Sequence, residues 1–219
     1  MQISSLIQKN NRIQVHVDDV YSFSCSMDFV LENNLYKGKE VNKEELDSLS
    51  KKSELDILKS KLVEYVYSKP YSKRELFQKL DTYSRKKYKY PLDKDKFGNL
   101  FELISSKGYF NSEDNVSKWV THYLEKNKGQ RYIQQKLSQK GYNIKEINKA
   151  IESLENKENS GEVIIGLIEK KLGQITEIDE KFKNKVFRYL LSQGFNYDTV
   201  KKSFRKYLED NNLKEVKEG

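Results

Sequence analysis

The feature that most constrains this chain is that it repeats itself. Leu137-Ser-Gln-Lys-Gly141-Tyr142-Asn143 returns as Leu190-Leu-Ser-Gln-Gly194-Phe195-Asn196, and beyond the glycine Ile147, Ile151 and Leu154 fall opposite Val200, Phe204 and Tyr207. Apolar residues every three or four positions form the buried stripe of a helix, and a glycine between two such stripes marks a helix end. Each copy is therefore a helix pair joined at a Gly-aromatic-Asn turn. A third helical pattern precedes each pair: Trp119, Val120, Tyr123 and Leu124 in one case, Val163, Ile164, Leu167, Ile168 and Leu172 in the other. The repeated unit is three helices.

A less regular copy runs from Leu55, Leu58, Leu62, Tyr65 and Val66 through Leu76, Phe77 and Leu80 to Phe97, Leu100 and Ile104, ending at Gly108-Tyr109. Pro70 ends its first helix, and Tyr83-Ser-Arg-Lys-Lys-Tyr-Lys-Tyr-Pro91 reads as an enlarged middle turn. Ahead of the repeats, Ile13 to Val17 and Val20 to Cys25 alternate apolar and polar residues as half-buried strands do, with Asp18-Asp19 as the hairpin turn and Ile3 to Gln8 as a third strand. Ser26 caps a short helix, and Asn42 opens the first long one. The expected fold is mainly α: three tandem three-helix repeats forming an elongated arc, preceded by a small antiparallel sheet. The expected segments are an extension over 1–50, units over 51–110, 111–157 and 158–212, and a charged tail over 213–219.

Hydrophobic residues make up only 36% of the chain and charged residues 34%, which suits several thin cores better than one thick one. The net charge of +8 is unevenly placed. The first 50 residues hold five basic and eight acidic side chains, the remainder 36 and 25. Basic residues outnumber acidic ones ten to four over 69–96, six to one over 118–140 and eight to two over 181–209. Such faces, interleaved with tyrosine, can neutralise the phosphates of a nucleic acid, and they can equally be solvated helix faces. Tyr132, Tyr142, Phe187 and Tyr189 are candidates for the core as much as for contact.

Catalysis has little to stand on. His16 and His122 are isolated, Cys25 has no partner thiol and no neighbouring base, and the phosphate-loop, zinc-protease and nucleophile-elbow motifs are absent. Glu44-Glu45, Asp93, Asp95 and Glu113-Asp114 sit at helix starts, where carboxylates complement the dipole. No cofactor, metal or catalytic residue is expected. The N-terminal MQISSLIQKNNR does not read as a secretion signal, and no run of about 18 apolar residues exists to span a membrane, so a cytoplasmic protein is expected.

Several landmarks in order resemble the RecX regulators of the RecA recombinase. They are Asp18-Asp19-x-Tyr21-x-Phe23, Ser72-Lys-Arg-Glu75-Leu76-x-x-Lys79-Leu80, Gly108-Tyr109 followed by Trp119-Val120, Lys128-Gly129-x-x-x-Ile133-x-x-x-Leu137-x-x-Lys140-Gly141, and Arg188-Tyr-Leu190-x-x-x-Gly194-Phe195. The chain departs from the family pattern at Ser112, Asn115 and Val116, with Ser112 still suited to cap a helix, and at Tyr83 to Pro91. The resemblance implies a bacterial SOS and recombination regulator that binds RecA filaments on single-stranded DNA and limits assembly, ATPase and strand exchange. The contact candidates are then Lys73, Arg74, Arg85, Lys86, Lys87, Lys128, Arg131, Lys136, Lys140, Arg188, Lys201, Lys202 and Arg205. Gly129, Gly141 and Gly194 are read as structural, relieving strain at helix ends, and Trp119 as a core anchor. A monomer is expected, since no heptad seam is sustained. The alternatives are an independent, sequence-nonspecific nucleic-acid-binding module and a helical scaffold for another protein.

Overall fold

In the computed structural model, which describes residues 1–154, 157–172, 178–213 and 215–216, the first elements are strands β1 (Ile3–Lys9), β2 (Arg12–Val17) and β3 (Val20–Cys25). They form one antiparallel sheet in that order. Both hairpins turn on two residues in the left-handed region, Asn10 and Asn11 at φ 49° and 58°, Asp18 and Asp19 at 48° and 64°. A two-residue turn matching strand twist needs this, and Asn and Asp tolerate it. Alternation drives Ile13, Val15, Val17, Phe23 and Cys25 inward, where they meet Phe29 and Val30 of helix α1 (Met27–Glu32), Leu35, Val41 and Leu49. Ser26 caps α1 by accepting from the Phe29 N–H at 3.1 Å.

The described chain divides into two compact units, Met1–Lys69 with Leu76–Phe110, and Pro70–Glu75 with Asn111–Gly219. The first holds the sheet, helix α2 (Lys43–Ser68), most of α3 (Lys73–Tyr88) and α4 (Lys94–Ser106). Asn42 caps α2 by accepting from the Glu45 N–H at 2.8 Å, and Asp93 caps α4 by accepting from the Lys96 N–H at 2.9 Å. The stripe expected on α2 is corrected at its start. Leu49, Ser53, Ile57, Leu58 and Leu62 are buried, whereas Leu55 is exposed and Val66 half-buried. At 100° per residue Leu49, Ser53 and Ile57 share one side of α2, and Leu55 falls on the opposite side with Leu58 and Leu62, where it lines a cleft with Tyr90 and Pro91.

A second correction concerns Tyr83 to Pro91. Through Tyr88 this segment is helix, not an enlarged turn. It contains no glycine or proline before Pro91, Ser84 is buried on the packed side, and the Arg85 Nε donates to Asp81 Oδ2 one turn earlier at 2.8 Å. The Arg85, Lys86 and Lys87 charges also complement the carbonyl end of the helix. The turn is confined to the residues after Tyr88, where Asp81 Oδ1 accepts from the Leu92 N–H at 2.8 Å.

The second unit carries α5 (Ser112–Glu125), α6 (Gln130–Lys140) and α7 (Ile144–Leu154), then α8 (Lys157–Leu172), α9 (Glu180–Ser192) and α10 (Tyr197–Asp210). Each set of three encloses its own core. Val116, Val120, Ile133, Leu137, Tyr142, Ile147, Ala150 and Ile151 make one. Ile164, Ile168, Val186, Phe187, Leu190, Phe195, Val200, Phe204 and Tyr207 belong to the other. Three local details differ from expectation. Asn111, not Ser112, caps α5, because the Asn111 Oδ1 reaches the Asp114 N–H at 3.3 Å while the Ser112 hydroxyl donates to Glu146 at 2.8 Å. Leu154 is exposed although its counterpart Tyr207 is buried, since α7 ends at Leu154 whereas α10 continues past Tyr207. The short strands β4 (Ile178–Asp179) and β5 (Glu215–Val216) pair in parallel. Of the expected tail, residues 214 and 217–219 lie outside the described residues, as does the side chain of Leu172.

Candidate partner interface and the joints beside it

The repeated glycine turns do more than end helices. Gly141 and Gly194 are left-handed at φ +93° and +90°, and each turn docks on the opening turn of another helix within the second unit. The first four N–H groups of a helix lack partners inside it and must find them elsewhere. At α6 the capping residue Gly129 has no side chain to offer. The α9 turn supplies acceptors around this opening instead: the Gln193 carbonyl takes the Gly129 N–H at 2.8 Å and the Gly194 carbonyl takes the Arg131 N–H at 3.1 Å. The Lys128 ammonium also donates to the Gln193 side-chain oxygen. A Cβ on Gly129 would lie 2.5 Å from the Gly194 backbone, and one on Gly194 would lie 2.6 Å from the Tyr132 Cβ. Gly129 has an ordinary φ of −79°, so close approach and not helix-end strain is what requires glycine there.

At the start of α3 the same plan recurs with a side-chain cap. Ser72 and Glu75 cap each other's N–H groups at 3.1 and 3.0 Å, and the Ser72 hydroxyl donates to the Lys140 carbonyl at 2.5 Å. Lys140 then pairs with Glu75 at 2.9 Å while its ammonium lies 4.3 Å from the Trp119 ring centroid. The Pro70 carbonyl accepts from both the Trp119 Nε1–H and the Tyr142 hydroxyl, each at 2.7 Å. Burial, followed by the Glu75 charge, pushes the Tyr142 phenol well above its ordinary range and keeps it a donor. Trp119 is partly buried and held at its nitrogen, which is an anchoring geometry.

These joints divide the candidate basic residues by role. Lys128, Lys136 and Lys140 are half-buried over rings, Lys128 and Lys136 at 5.1 and 5.5 Å from the Tyr132 centroid. Arg131 is exposed on the same helix, and Lys73 and Arg74 are exposed on the first turn of α3, where the Arg74 stem packs beside Gly141. Arg188 is exposed on α9, and Lys201, Lys202 and Arg205 share the exposed side of α10. Arg85, Lys86 and Lys87 are exposed at the end of α3 in the other compact unit. Sequence reasoning missed Ser72, Glu75, Gln193 and Pro70 as joint residues. The Ser-x-x-Glu capping pattern at 72–75 was the readable signal; nothing in the sequence marks the carbonyls.

Chemically the arrangement presents cations and rings. Cys25 is buried, and that burial pushes its thiol up to about 12, so it stays protonated at neutral pH. Among the described residues no group of three or more His, Cys, Asp or Glu is placed to hold a metal ion, and no helix is long and apolar enough to cross a membrane.

Comparison with known proteins agrees at both ends of the chain. Residues 2–42 match the regulatory protein RecX N-terminal domain, and residues 161–214 match the third three-helix domain of RecX. Both matches are to RecX, so the chain is similar to that family at its two ends. Regulatory protein RecX of Clostridium botulinum (strain Eklund 17B / Type B) is 27% identical over 200 residues, covering 89% of this chain and 90% of the relative. That of Clostridioides difficile (strain 630) is 27% identical over 205 residues, covering 92% of each. A crystal structure of regulatory protein RecX superposes with a TM-score of 0.70 at 17% identity, covering 92% of this chain and 98% of that one. RecX from Lactobacillus salivarius gives 0.61 at 18% identity, covering 70% and 96%. The shared RecX fold therefore includes both the sheet and the helical units.

Proposed function

We propose that this chain is a RecX-type, non-catalytic regulator of RecA, acting in the cytoplasm as a monomer without a cofactor. It binds the RecA filament on single-stranded DNA and limits assembly, ATP hydrolysis and strand exchange. What carries the reading is similarity to the RecX family, with relatives named as regulatory proteins matching about nine-tenths of the chain. The exposed cations of α3, α6, α9 and α10 supply a physical means of contact with an acidic or phosphate-bearing filament. Several weak contacts on one chain reinforce each other, because each raises the effective concentration of the next.

Within the basic set, Lys128 and Lys140 already serve the joints, so they are the wrong residues with which to probe contact. Lys73, Arg74, Arg85, Lys86, Lys87, Arg131, Arg188, Lys201, Lys202 and Arg205 are the exposed contact candidates, and Lys136 is intermediate. The deciding measurement is ATP hydrolysis by the cognate RecA on single-stranded DNA while the protein is titrated, with DNA in excess over the added chain. Substoichiometric loss of hydrolysis is expected. Reversing Arg131, Lys201, Lys202 and Arg205 to glutamate should relieve that loss. No change in hydrolysis at saturation would overturn the reading and leave an independent nucleic-acid-binding module in its place.

A further inference from the structure

Outside the joints, the helix α2 and α3 surface of the first compact unit carries cations and rings in alternation. Lys61 lies 5.2 Å from the Tyr65 ring centroid and 5.6 Å from that of Tyr83. Lys79 lies 5.5 Å from Tyr65, and Lys87 lies 5.8 Å from Tyr83 and 5.4 Å from Tyr88. All five distances are within reach of a cation–π interaction. The tyrosines are half-buried, so their positions are set by packing, while Lys87 is exposed and Lys61 and Lys79 are half-exposed.

A lysine ammonium on a free four-carbon stem must be ordered before it can serve a ligand, and that ordering weakens binding. Here the rings have restricted the ammonium groups in advance. They stand in a row, since Tyr65 and Tyr83 are each shared by two lysines and Lys61 and Lys87 each span two rings. A row of pre-positioned cations interleaved with aromatic faces fits a linear polyanion that also carries flat groups. Two carboxylates restrain the surface: Glu64 holds Lys61 at 2.7 and 2.8 Å, and Asp81 holds Arg85 at 2.8 Å.

We infer that this face is a track for the phosphodiester backbone of single-stranded nucleic acid, in which Tyr65 and Tyr83 are positioning residues for Lys61, Lys79 and Lys87. The inference deepens the reading above, since it rests on the chain working where single-stranded DNA is present. It adds to that reading two tyrosines, two lysines and an antagonist, Glu64, that charge alone does not single out.

The test uses the full chain without RecA, measuring anisotropy of labelled oligothymidylate over a range of salt concentrations. Lys61→Gln with Lys79→Gln and Lys87→Gln should weaken binding at least about tenfold and lower the log–log salt slope by about 2, at roughly 0.7 per phosphate contact. Tyr65→Leu with Tyr83→Leu keeps every charge, so the slope should stay while affinity falls about 3- to 10-fold, and the matching Phe substitutions should restore it. Glu64→Gln releases Lys61 and should tighten binding about 2-fold or more. These two surface-preserving controls keep the test decisive even if the Leu variant folds poorly. Unchanged affinity and slope in the triple Gln variant would overturn the track, as would a Phe variant that binds as weakly as the lysine variant. If the triple variant binds DNA normally but no longer inhibits RecA hydrolysis, the face takes an acidic protein surface and the track is wrong while the regulatory reading stands. Loss of DNA binding as expected, in a protein that never alters RecA hydrolysis, supports the track and refutes the regulatory reading.

Discussion

Three alanine substitutions separate what the glycines contribute to the second unit's joint from what they contribute to their own backbone. Gly108 is left-handed at φ +75° with nothing within 4 Å of a Cβ, so Gly108→Ala meets backbone strain alone, about 1–2 kcal/mol. Gly129 has an ordinary φ of −79°, and Gly129→Ala meets only the overlap of its Cβ with the Gly194 backbone 2.5 Å away. Forced overlap costs about 1–3 kcal/mol, and here the neighbour is main chain, which yields less readily than a side-chain tip. Gly194→Ala combines both penalties, giving about 2–5 kcal/mol. Because Gly129 and Gly194 oppose each other, the double variant should cost less than the sum of the single ones. Urea unfolding gives the energies, followed by Trp119 fluorescence for the two glycines of the second unit and by circular dichroism for Gly108→Ala in the first, and native-state hydrogen exchange at the Gly129 and Arg131 amides reports the joint itself. A Gly129→Ala protein within about 0.5 kcal/mol of the parent, with both amides still protected, would refute the close approach and with it the claim that carbonyls of the α9 turn serve the opening of α6.

Further outcomes follow from the same geometry. Ser72→Ala removes a helix cap and the donor to the Lys140 carbonyl, so it should destabilise by about 1–2 kcal/mol in the same fluorescence-detected unfolding. Gly98→Ala lies inside α4 with nothing within 4 Å, and should stabilise by about 0.5–1 kcal/mol, read as a higher urea midpoint. Cys25 should resist iodoacetamide at pH 8 in the native protein and react on unfolding; native labelling at the unfolded rate would contradict its burial. Its thiol pKa is raised on folding from 9.0 to about 12, chiefly by burial, so its contribution to stability is fully present below pH 9.0 and is lost as pH rises toward 12. Cys25→Ser should shift that alkaline decline, measured by urea unfolding at several pH values.

Much of this protein was legible before any coordinates. The three-helix period, the β extension, the Asp18-Asp19 turn, the Ser26 and Asn42 caps and the left-handed glycines at 141 and 194 all follow from local rules, because each depends on residues within one or two turns of chain. The errors have the same origin. Tyr83 to Pro91 looked like a loop by composition, yet helical pairing of Asp81 with Arg85 and burial of Ser84 kept it helical to Tyr88. Leu55 satisfied a three-and-four spacing with Leu58 and Leu62, yet it lines a cleft while those two are packed. The basic residues were visible as clusters, but their roles were not. Whether a lysine waits for a partner or is already engaged depends on what long-range packing sets over it, and only the tertiary structure placed Lys140 between Glu75 and Trp119, and Lys128 against Gln193. Local periodicity thus determined which helices form, while the joints were decided by backbone carbonyls, which every residue carries and no sequence pattern can distinguish.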